Sequence, residues 1–552
     1  MKKRRIFIGV FLITIIVACL PLFTVNCING HDIEYHLLRI EALKEGILHG
    51  HPFLRVNMLF FCGEGYASSL FYPDFLLYLP ALLRVFGLGI NGAYHVFVAF
   101  CIICGFISCY FSVRYITGQD MSALLSAVIF TLCQYHIDDI YTRSAVGEYT
   151  AFIFFPLVIA GLFDLMYRDL KKPWILGAGM AGVLLCHTLT TFFSLILCVF
   201  ALICSVKRLR QEPKILLRLF LTAVAVLLMT AFYWLPMLEQ LNTTTFAYVK
   251  SKFDLDYEKL LLRDVFQNEL PGMGISVFLL VLPRLFIKAR GEERKDGYRF
   301  ADFCLIFGLL FTLGTTGLFP WKRAAKYLNF VQFPWRLFIV ASSLLAIAAG
   351  IYIVIWAEEM WQGAGEKLSP LITLIVLAIM ISSAVGNLNR IDEGYYSYSD
   401  DYFEYGPHTK TVIGGEWLPI TVTDREKLGD DADLAYTDGG EIEIERIDNK
   451  VAVEGLTGEE AYVDVPYIYY YGYKAINAEN GEQLPLDGSG ENGRARIYPG
   501  GAKAFTVYYG GTLLQTISSW LSFIAILGGL AFVCFHRKWN FPMKNLKKPA
   551  EK

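Results

Sequence analysis

The chain has 552 residues, of which 55% are hydrophobic, 15% aromatic and only 18% charged, with a mean hydropathy of +0.44. That composition excludes a string of soluble domains of about 150 residues each and points to an integral membrane protein. Forty-nine Lys and Arg against fifty-one Asp and Glu leave a net charge of −2, so no global basic field exists to hold nucleic acid, and charge matters only by position.

The chain starts MKKRR and continues IFIGVFLITIIVACLPLF. This has the layout of a secretory signal, but the apolar run reaches about residue 25 without a small-residue cleavage site, so an uncleaved first span is expected. Eleven further apolar runs follow near residues 93–113, 121–137, 150–167, 174–189, 190–206, 215–235, 273–289, 301–319, 336–356, 369–386 and 515–535, which makes twelve spans. The run FYPDFLLYLPALLRVFGLG at 71–89 carries Pro73, Asp74, Pro80 and Arg84. If it crossed, every later basic cluster would land opposite the N-terminal Lys2 to Arg5, against the positive-inside tendency, so an amphipathic surface helix is expected there. The stretch 174–206 is too long for one span and basic at both ends, which predicts a hairpin turning near His187 and Thr188.

This layout leaves both termini and the short basic loops cytoplasmic. It puts 26–92, 138–149, 238–272, 320–335 and 387–514 outside. The segment 387–514 contains no Cys, and its alternating stretches EIEIER, KVAVE, AYVDVPYIYYY, RARIY and AFTVYY predict a small antiparallel β domain. Within it YYSYSDDYFEY at 395–405 reads either as a carbohydrate-stacking surface or as a contact with the membrane interface. Cys27 and Cys62 would be able to pair if both lie outside. Residues 515–552 form a last span and a basic tail, whose end KNLKKPAEK has the composition of a disordered segment. No phosphate-binding Gly-rich loop of the Walker type occurs in the internal loops, so any chemistry is expected outside.

Three external stretches carry the candidate residues. In GHDIEYHLLRIEALKEG at 30–46, a helix opened by Asp32 would put Asp32, His36 and Arg39 on one face. Asp32 as a plain helix cap, and a divalent metal on Asp32, Glu34 and His36, are the competing readings of the same spacing. In YHIDDIYTRSAVGEY at 135–149, Asp138 and Asp139 should end the third span, leaving Arg143 and Glu148 in a short outer loop. In KRAAKYLNFVQFPWRLF at 322–338, Lys322, Arg323, Lys326 and Arg336 are basic residues on an outer loop, suited to an anionic ligand such as a lipid phosphate or to phospholipid headgroups.

The order of these motifs resembles the GT-C glycosyltransferase superfamily. The resemblance rests on Asp32-x-x-x-His36 after the first span, GEGYASSLFYPDFLLYLP at 63–80, and Tyr141-x-Arg143-x-x-x-Gly147-Glu148. More narrowly the chain is similar to YfhO-like bacterial membrane proteins and relatives carrying a 6-pyruvoyl-tetrahydropterin-synthase-related label. That likeness extends to GEWLPI at 415–420 and YYGYKAINAENGEQ in the β region. It implies an α-helical polytopic membrane protein with a catalytic portion over 1–386 that transfers sugar from a polyprenyl-phosphate donor. The acceptor would be a polymer, lipid or protein of the cell envelope, at the outer face of the bilayer. The base falls by position to Asp32, with Glu148 as a second catalytic acid; Arg336, with Arg143, Arg323 or Lys326, would hold the donor phosphate; and Glu34, His36, Arg39, Asp138, Asp139 and His187 are further site candidates. A carrier of lipid-linked glycan and a noncatalytic envelope-assembly protein remain the alternatives.

Overall fold

The computed structural model describes residues 2–250, 254–267, 271–288, 295–361, 365–391, 394–403, 415–447 and 449–539. The tail KNLKKPAEK lies outside them. Among the described residues, six helices are long and apolar enough to cross a membrane: Ile90–Thr117, Val146–Tyr167, Asp296–Gly314, Pro334–Met360, Pro370–Leu388 and Leu513–Ala531. Two bent pairs, Asp120–Thr131 with Gln134–Tyr141 and Lys214–Met229 with Ala231–Thr243, raise the number to eight if each pair is one span. The remaining apolar runs of the sequence form shorter helices: Lys2–Ala18, Pro173–Leu184, Thr188–Cys204 and Ser276–Phe286. At 1.5 Å per residue the 12 residues of Pro173–Leu184 extend only about 18 Å, so a count of twelve full-length crossings is not what length and composition show.

The bends have local causes. Between Thr131 and Gln134 the chain breaks by 44°, because Cys133 adopts extended backbone (φ −58°, ψ 135°). Between Met229 and Ala231 it breaks by 74° at Thr230, whose hydroxyl donates to the Val226 carbonyl at 2.7 Å and competes with the helical ladder. The 174–206 stretch is a hairpin as expected, with His187 immediately before the Thr188–Cys204 helix. In the 71–89 run the helix is Tyr78–Val85, eight residues and too short to cross. Its Arg84 is buried and donates to Glu41 through both Nε and Nη2, the latter at 3.1 Å.

Among the described residues of 434–509, the chain builds two five-stranded antiparallel sheets. Their strand orders are 486–487, 494–497, 463–468, 434–437, 440–443 and 445–447, 450–453, 505–509, 473–477, 483–484. Alternate residues Val451, Val453, Ala475, Phe505 and Val507 face inward and are buried, the period-two pattern of a half-buried strand. The sheets are tied to the helical part through the 60–66 loop. Glu64 accepts from Arg494 at 2.7 Å and its carbonyl from the Ile468 amide at 2.9 Å, while Arg446 donates to the Gly63 carbonyl at 2.9 Å. A second tie is Gln240, whose amide exchanges two hydrogen bonds with the Tyr471 backbone. Cys27 and Cys62 are not joined in a disulfide, so the pairing open from sequence does not form. Cys27 instead lies in a short strand, Cys27–Ile28, paired with Tyr395–Tyr396.

Candidate functional site

The site begins with a backbone clasp. The His31 and Asp32 amides donate to the carbonyls of Thr142 and Arg143 at 3.0 and 2.9 Å, which pins the start of the Ile33–Leu48 helix onto the turn before Val146–Tyr167. Gly30 is required for this approach, since a Cβ there would lie 2.3 Å from Ser144 Oγ and 2.7 Å from the Tyr141 carbonyl. Gly147 serves the neighbouring contact: its amide donates to Tyr72 Oη at 3.0 Å, and a Cβ would come within 2.3 Å of that oxygen. The two motifs that sequence reading placed in separate outer loops are thereby one structure.

The 138–149 segment is not the solvated loop that its charges suggested. Residues 134–141 are helical and every one is buried, and Glu148 stands in the first turn of Val146–Tyr167. The acids tolerate burial because each is paired. Arg143 Nη1 contacts Asp139 Oδ1 and donates to Glu148 Oε2 at 2.8 Å, while Nη2 donates to Glu148 Oε1 at 2.9 Å. Tyr135 adds a hydroxyl bond to Glu148 at 3.0 Å, and the Arg143 guanidinium lies 4.7 Å from the Trp335 ring centre. Asp138 accepts from Asn387 at 2.6 Å.

Arg336 enters from the other side. Its Nη1 donates to Gln332 Oε1 at 2.7 Å and to the Val331 carbonyl at 3.2 Å, and its Nε lies 3.1 Å from Glu148 Oε1 without the alignment of a hydrogen bond. Gln332 adopts a left-handed conformation (φ +62°), as does Ser144 (φ +51°). Non-glycine residues in that region cost about 1–3 kcal/mol each and gather where a site demands a fixed geometry. Gln332 also approaches Glu416 Oε1 with its amide nitrogen at 3.5 Å. Glu416 reaches this place because its segment pairs with 245–248: the Tyr248 amide donates to the Glu416 carbonyl and the Ala247 amide to the Leu418 carbonyl, both at 2.9 Å. Trp417 then stacks on Phe71 at 4.4 Å.

Asp32 differs from the other acids. It occupies the N-cap position of Ile33–Leu48 but its side chain makes no capping bond, so the plain-cap reading fails. Among the described residues its carboxylate has no hydrogen-bond or ion-pair partner, although Arg143, Arg336 and Glu148 are near enough for their charges to act on it. Burial pushes its pKa up, and Arg143 and Arg336 pull against that rise. Glu416 is likewise raised by burial, with Arg336 lowering it and Asp32 adding to the rise. The charge of Arg336 thus acts on two half-buried carboxyls, Asp32 and Glu416.

The other candidates have separate duties. Arg39 is buried and paired with Asp74 (3.1 Å from Nε, 2.5 Å from Nη2), donates to the Tyr72 and Pro73 carbonyls, and approaches His36 Nδ1 at 3.1 Å. Burial pushes His36 well below the ordinary histidine value, with Arg39 and His187 adding to the effect. Glu34 accepts from Tyr402 at 3.0 Å, away from His36. The metal set Asp32, Glu34 and His36 thus does not converge, and among the described residues no three His, Cys, Asp or Glu side chains gather as metal ligands. His187 is buried, bonded through Nδ1 to Thr190 at 2.8 Å, and within electrostatic reach of Glu148. Arg323 and Lys326 are exposed on the helix Trp321–Leu328, and among the described residues neither meets a carboxylate or the Glu148 cluster. Sequence reading missed Glu416, Gln332, Tyr135 and Tyr72. GEWLPI was visible as a motif, but nothing local in it indicates which side chain turns inward.

No family model matches the sequence. An uncharacterized protein of Lactococcus lactis subsp. cremoris (strain MG1363) is 21% identical over 333 residues, covering 57% of this chain and 54% of that protein. The chain therefore spans about half the length of the curated relative that it matches. Among solved structures, the mycobacterial arabinofuranosyltransferase AftD aligns over 72% of this chain and 28% of its own, with 14% identity and a TM-score of 0.45. The oligosaccharyltransferase of Archaeoglobus fulgidus aligns over 72% and 57%, with 12% identity and a TM-score of 0.43. Likenesses this distant decide nothing about activity, and the side chains of the site must carry the functional reading.

Proposed function

We propose that this chain is a membrane glycosyltransferase of the GT-C type, YfhO-like in its motif order, which moves a sugar from a polyprenyl-phosphate donor to a cell-envelope acceptor at the outer face of the bilayer. In this reading both termini are cytoplasmic and residues 387–514 are external. The observation that carries it is Asp32: a half-buried carboxylate with no partner among the described residues, within electrostatic reach of Arg143 and Arg336. An acceptor hydroxyl attacks the anomeric carbon and a new C–O bond forms. The bond from that carbon to the phosphate oxygen breaks, and the hydroxyl proton passes to Asp32. Such general-base help is worth about a hundred- to ten-thousandfold in rate. The phosphate leaves with the bonding electron pair and gains negative charge, which the guanidinium of Arg336 stabilises in a partly dry site.

Glu148 and Arg143 take a positioning role. Their polar atoms are engaged with one another, Asp139 and Tyr135, so they hold Arg336 and the Asp32 clasp in place. Glu416 is the second desolvated acid at the site and orients Gln332. The donor's phosphate already activates the leaving group, so no step needs a nucleotide.

The test is transfer by the purified protein in proteoliposomes supplied with labelled polyprenyl-phosphate sugar. Release of polyprenyl phosphate with label on an acceptor, abolished in Asp32→Asn, supports the reading. Label crossing the bilayer with its phosphate bond intact, unaffected by Asp32→Asn, identifies a carrier and overturns it.

A further inference from the structure

A cavity of about 210 Å³ opens far from this cluster. It lies at the far end of the Val146–Tyr167 helix, whose 22 residues extend about 33 Å from the Glu148 end. Its walls come from the ends of four helices. Ile90–Thr117 stops at Gly118, which takes φ +70°, Lys295–Gly314 starts beside it, and Phe338–Met360 and Val146–Tyr167 end there.

The lining is divided by chemistry. Ile116, Ile351 and Ile355 are apolar, whereas Gln119, Arg168, Asp296 and Tyr298 are polar. The Arg168 guanidinium is held at 4.6 Å from the Tyr115 ring centre and 4.8 Å from that of Phe163. Lys172 Nζ lies at 4.6 Å from the same Tyr115 ring. The acid nearest in the chain, Asp164, is already engaged: it accepts from Tyr115 Oη at 2.5 Å and from the Lys172 amide at 2.7 Å. Among the described residues Arg168 therefore meets no carboxylate, although it is oriented by two rings. Asp296 also lacks an ion-pair partner among them, and it borders the same space. Gly297 also lines it, and a Cβ there would meet the Ile116 carbonyl oxygen and Thr117 at 3.7 and 3.9 Å, ordinary van der Waals distances, so a side chain can be placed at this position without a backbone clash.

A cation and an anion across one cavity, with an aliphatic wall at the end of a helical bundle, match a ligand that carries a phosphate, an amine and a hydrocarbon stem. Basic pockets between spans recognise lipid headgroups by the same physics, but a purely anionic headgroup would gain nothing from Asp296. We propose that this cavity binds the headgroup of an amine-bearing phospholipid, with the phosphate on Arg168, the ammonium on Asp296 and the first acyl carbons along Ile351 and Ile355. The inference does not depend on the chemistry proposed for the Asp32 cluster.

The test is lipid retention by the full-length protein, read by native mass spectrometry after exchange into detergent with dioleoylphosphatidylethanolamine or dioleoylphosphatidylglycerol. The parent should retain the ethanolamine lipid at least tenfold better than the glycerol lipid. Arg168→Ala should lower retention of both, Asp296→Asn should erase the preference between them, and Gly297→Leu should block both by filling the space while the protein stays monodisperse. Equal retention of the two lipids by the parent, or undiminished retention in Gly297→Leu, overturns the proposal. Full competition by glycerophosphoethanolamine, which has no acyl chains, also overturns it and assigns the cavity to a soluble phosphoamine.

Discussion

Arg143 grips Glu148 with both prongs of its guanidinium, Nη1 to Oε2 at 2.8 Å and Nη2 to Oε1 at 2.9 Å, across the break between two buried helices. The pair is five residues apart, too far for one straight helical face, and it forms only because the chain turns sharply at Ser144. Removing one partner leaves the other buried and charged, which costs about 3–5 kcal/mol. Glu148→Gln and Arg143→Ala should therefore lower the thermal midpoint of the detergent-purified protein by several degrees, measured by fluorescence-detected unfolding. Arg143→Lys should also fall short, because an ammonium cannot make the two-pronged contact.

Asp32→Asn should behave in the opposite way. The Asp32 side chain makes no cap bond, so its loss as a charge should leave the unfolding midpoint nearly unchanged. Glycosyl transfer should fall about a hundred- to ten-thousandfold. A midpoint drop as large as that of Glu148→Gln, with turnover retained, would return Asp32 to a structural role.

The pH dependence follows from the direction of the Asp32 shift. Burial holds the carboxyl above the ordinary aspartate value, with Arg143 and Arg336 opposing. A protonated Asp32 cannot accept the acceptor's proton, so kcat/KM should fall as pH is lowered through this raised value, above the ordinary pKa of about 3.9. Arg336→Ala removes a cation that favours the ionised form, and the acid limb of its residual activity should move to higher pH. An acid limb that stays in place, or moves lower, would separate Asp32 from Arg336.

Arg336 spends one nitrogen on Gln332 and Val331 and only approaches Glu148 with another, which leaves donor capacity for a phosphate. Arg336→Lys should weaken binding of a polyprenyl-phosphate sugar by about tenfold and Arg336→Ala by more, with little change in acceptor affinity. Exposed Arg323 and Lys326 should each matter less than Arg336. Titration of the labelled donor against the purified variants decides between them.

Topology is testable with engineered thiols in a background whose native cysteines are replaced. A membrane-impermeant maleimide added outside should label Ser397→Cys, which is exposed, and spare Lys207→Cys, also exposed but in a basic loop. The reverse pattern would place the Asp32 cluster on the inner side.

Apolar runs, basic loops and β-period alternation are local properties, set by transfer free energy and by side-chain period. For that reason the sequence alone determined that this is a membrane protein, where its apolar helices fall, that 174–206 turns at His187 and that β-strands lie within 387–514, while only the structure shows that the two five-stranded sheets start at residue 434. It also singled out Asp32, Arg143, Glu148 and Arg336, because charged residues next to spans are costly enough to stand out. Tertiary structure alone decided which of them are satisfied. Asp138 and Asp139 looked solvated, since isolated acids avoid apolar surroundings, yet Asn387 and Arg143 pair them in the interior. Glu416 and Gln332 were unreadable as site residues because they arrive through backbone pairing with 245–248 and through the left-handed turn at 332. Whether a carboxylate is bound, buried or left free depends on the partners that distant segments bring to it, and only the folded chain specifies those partners.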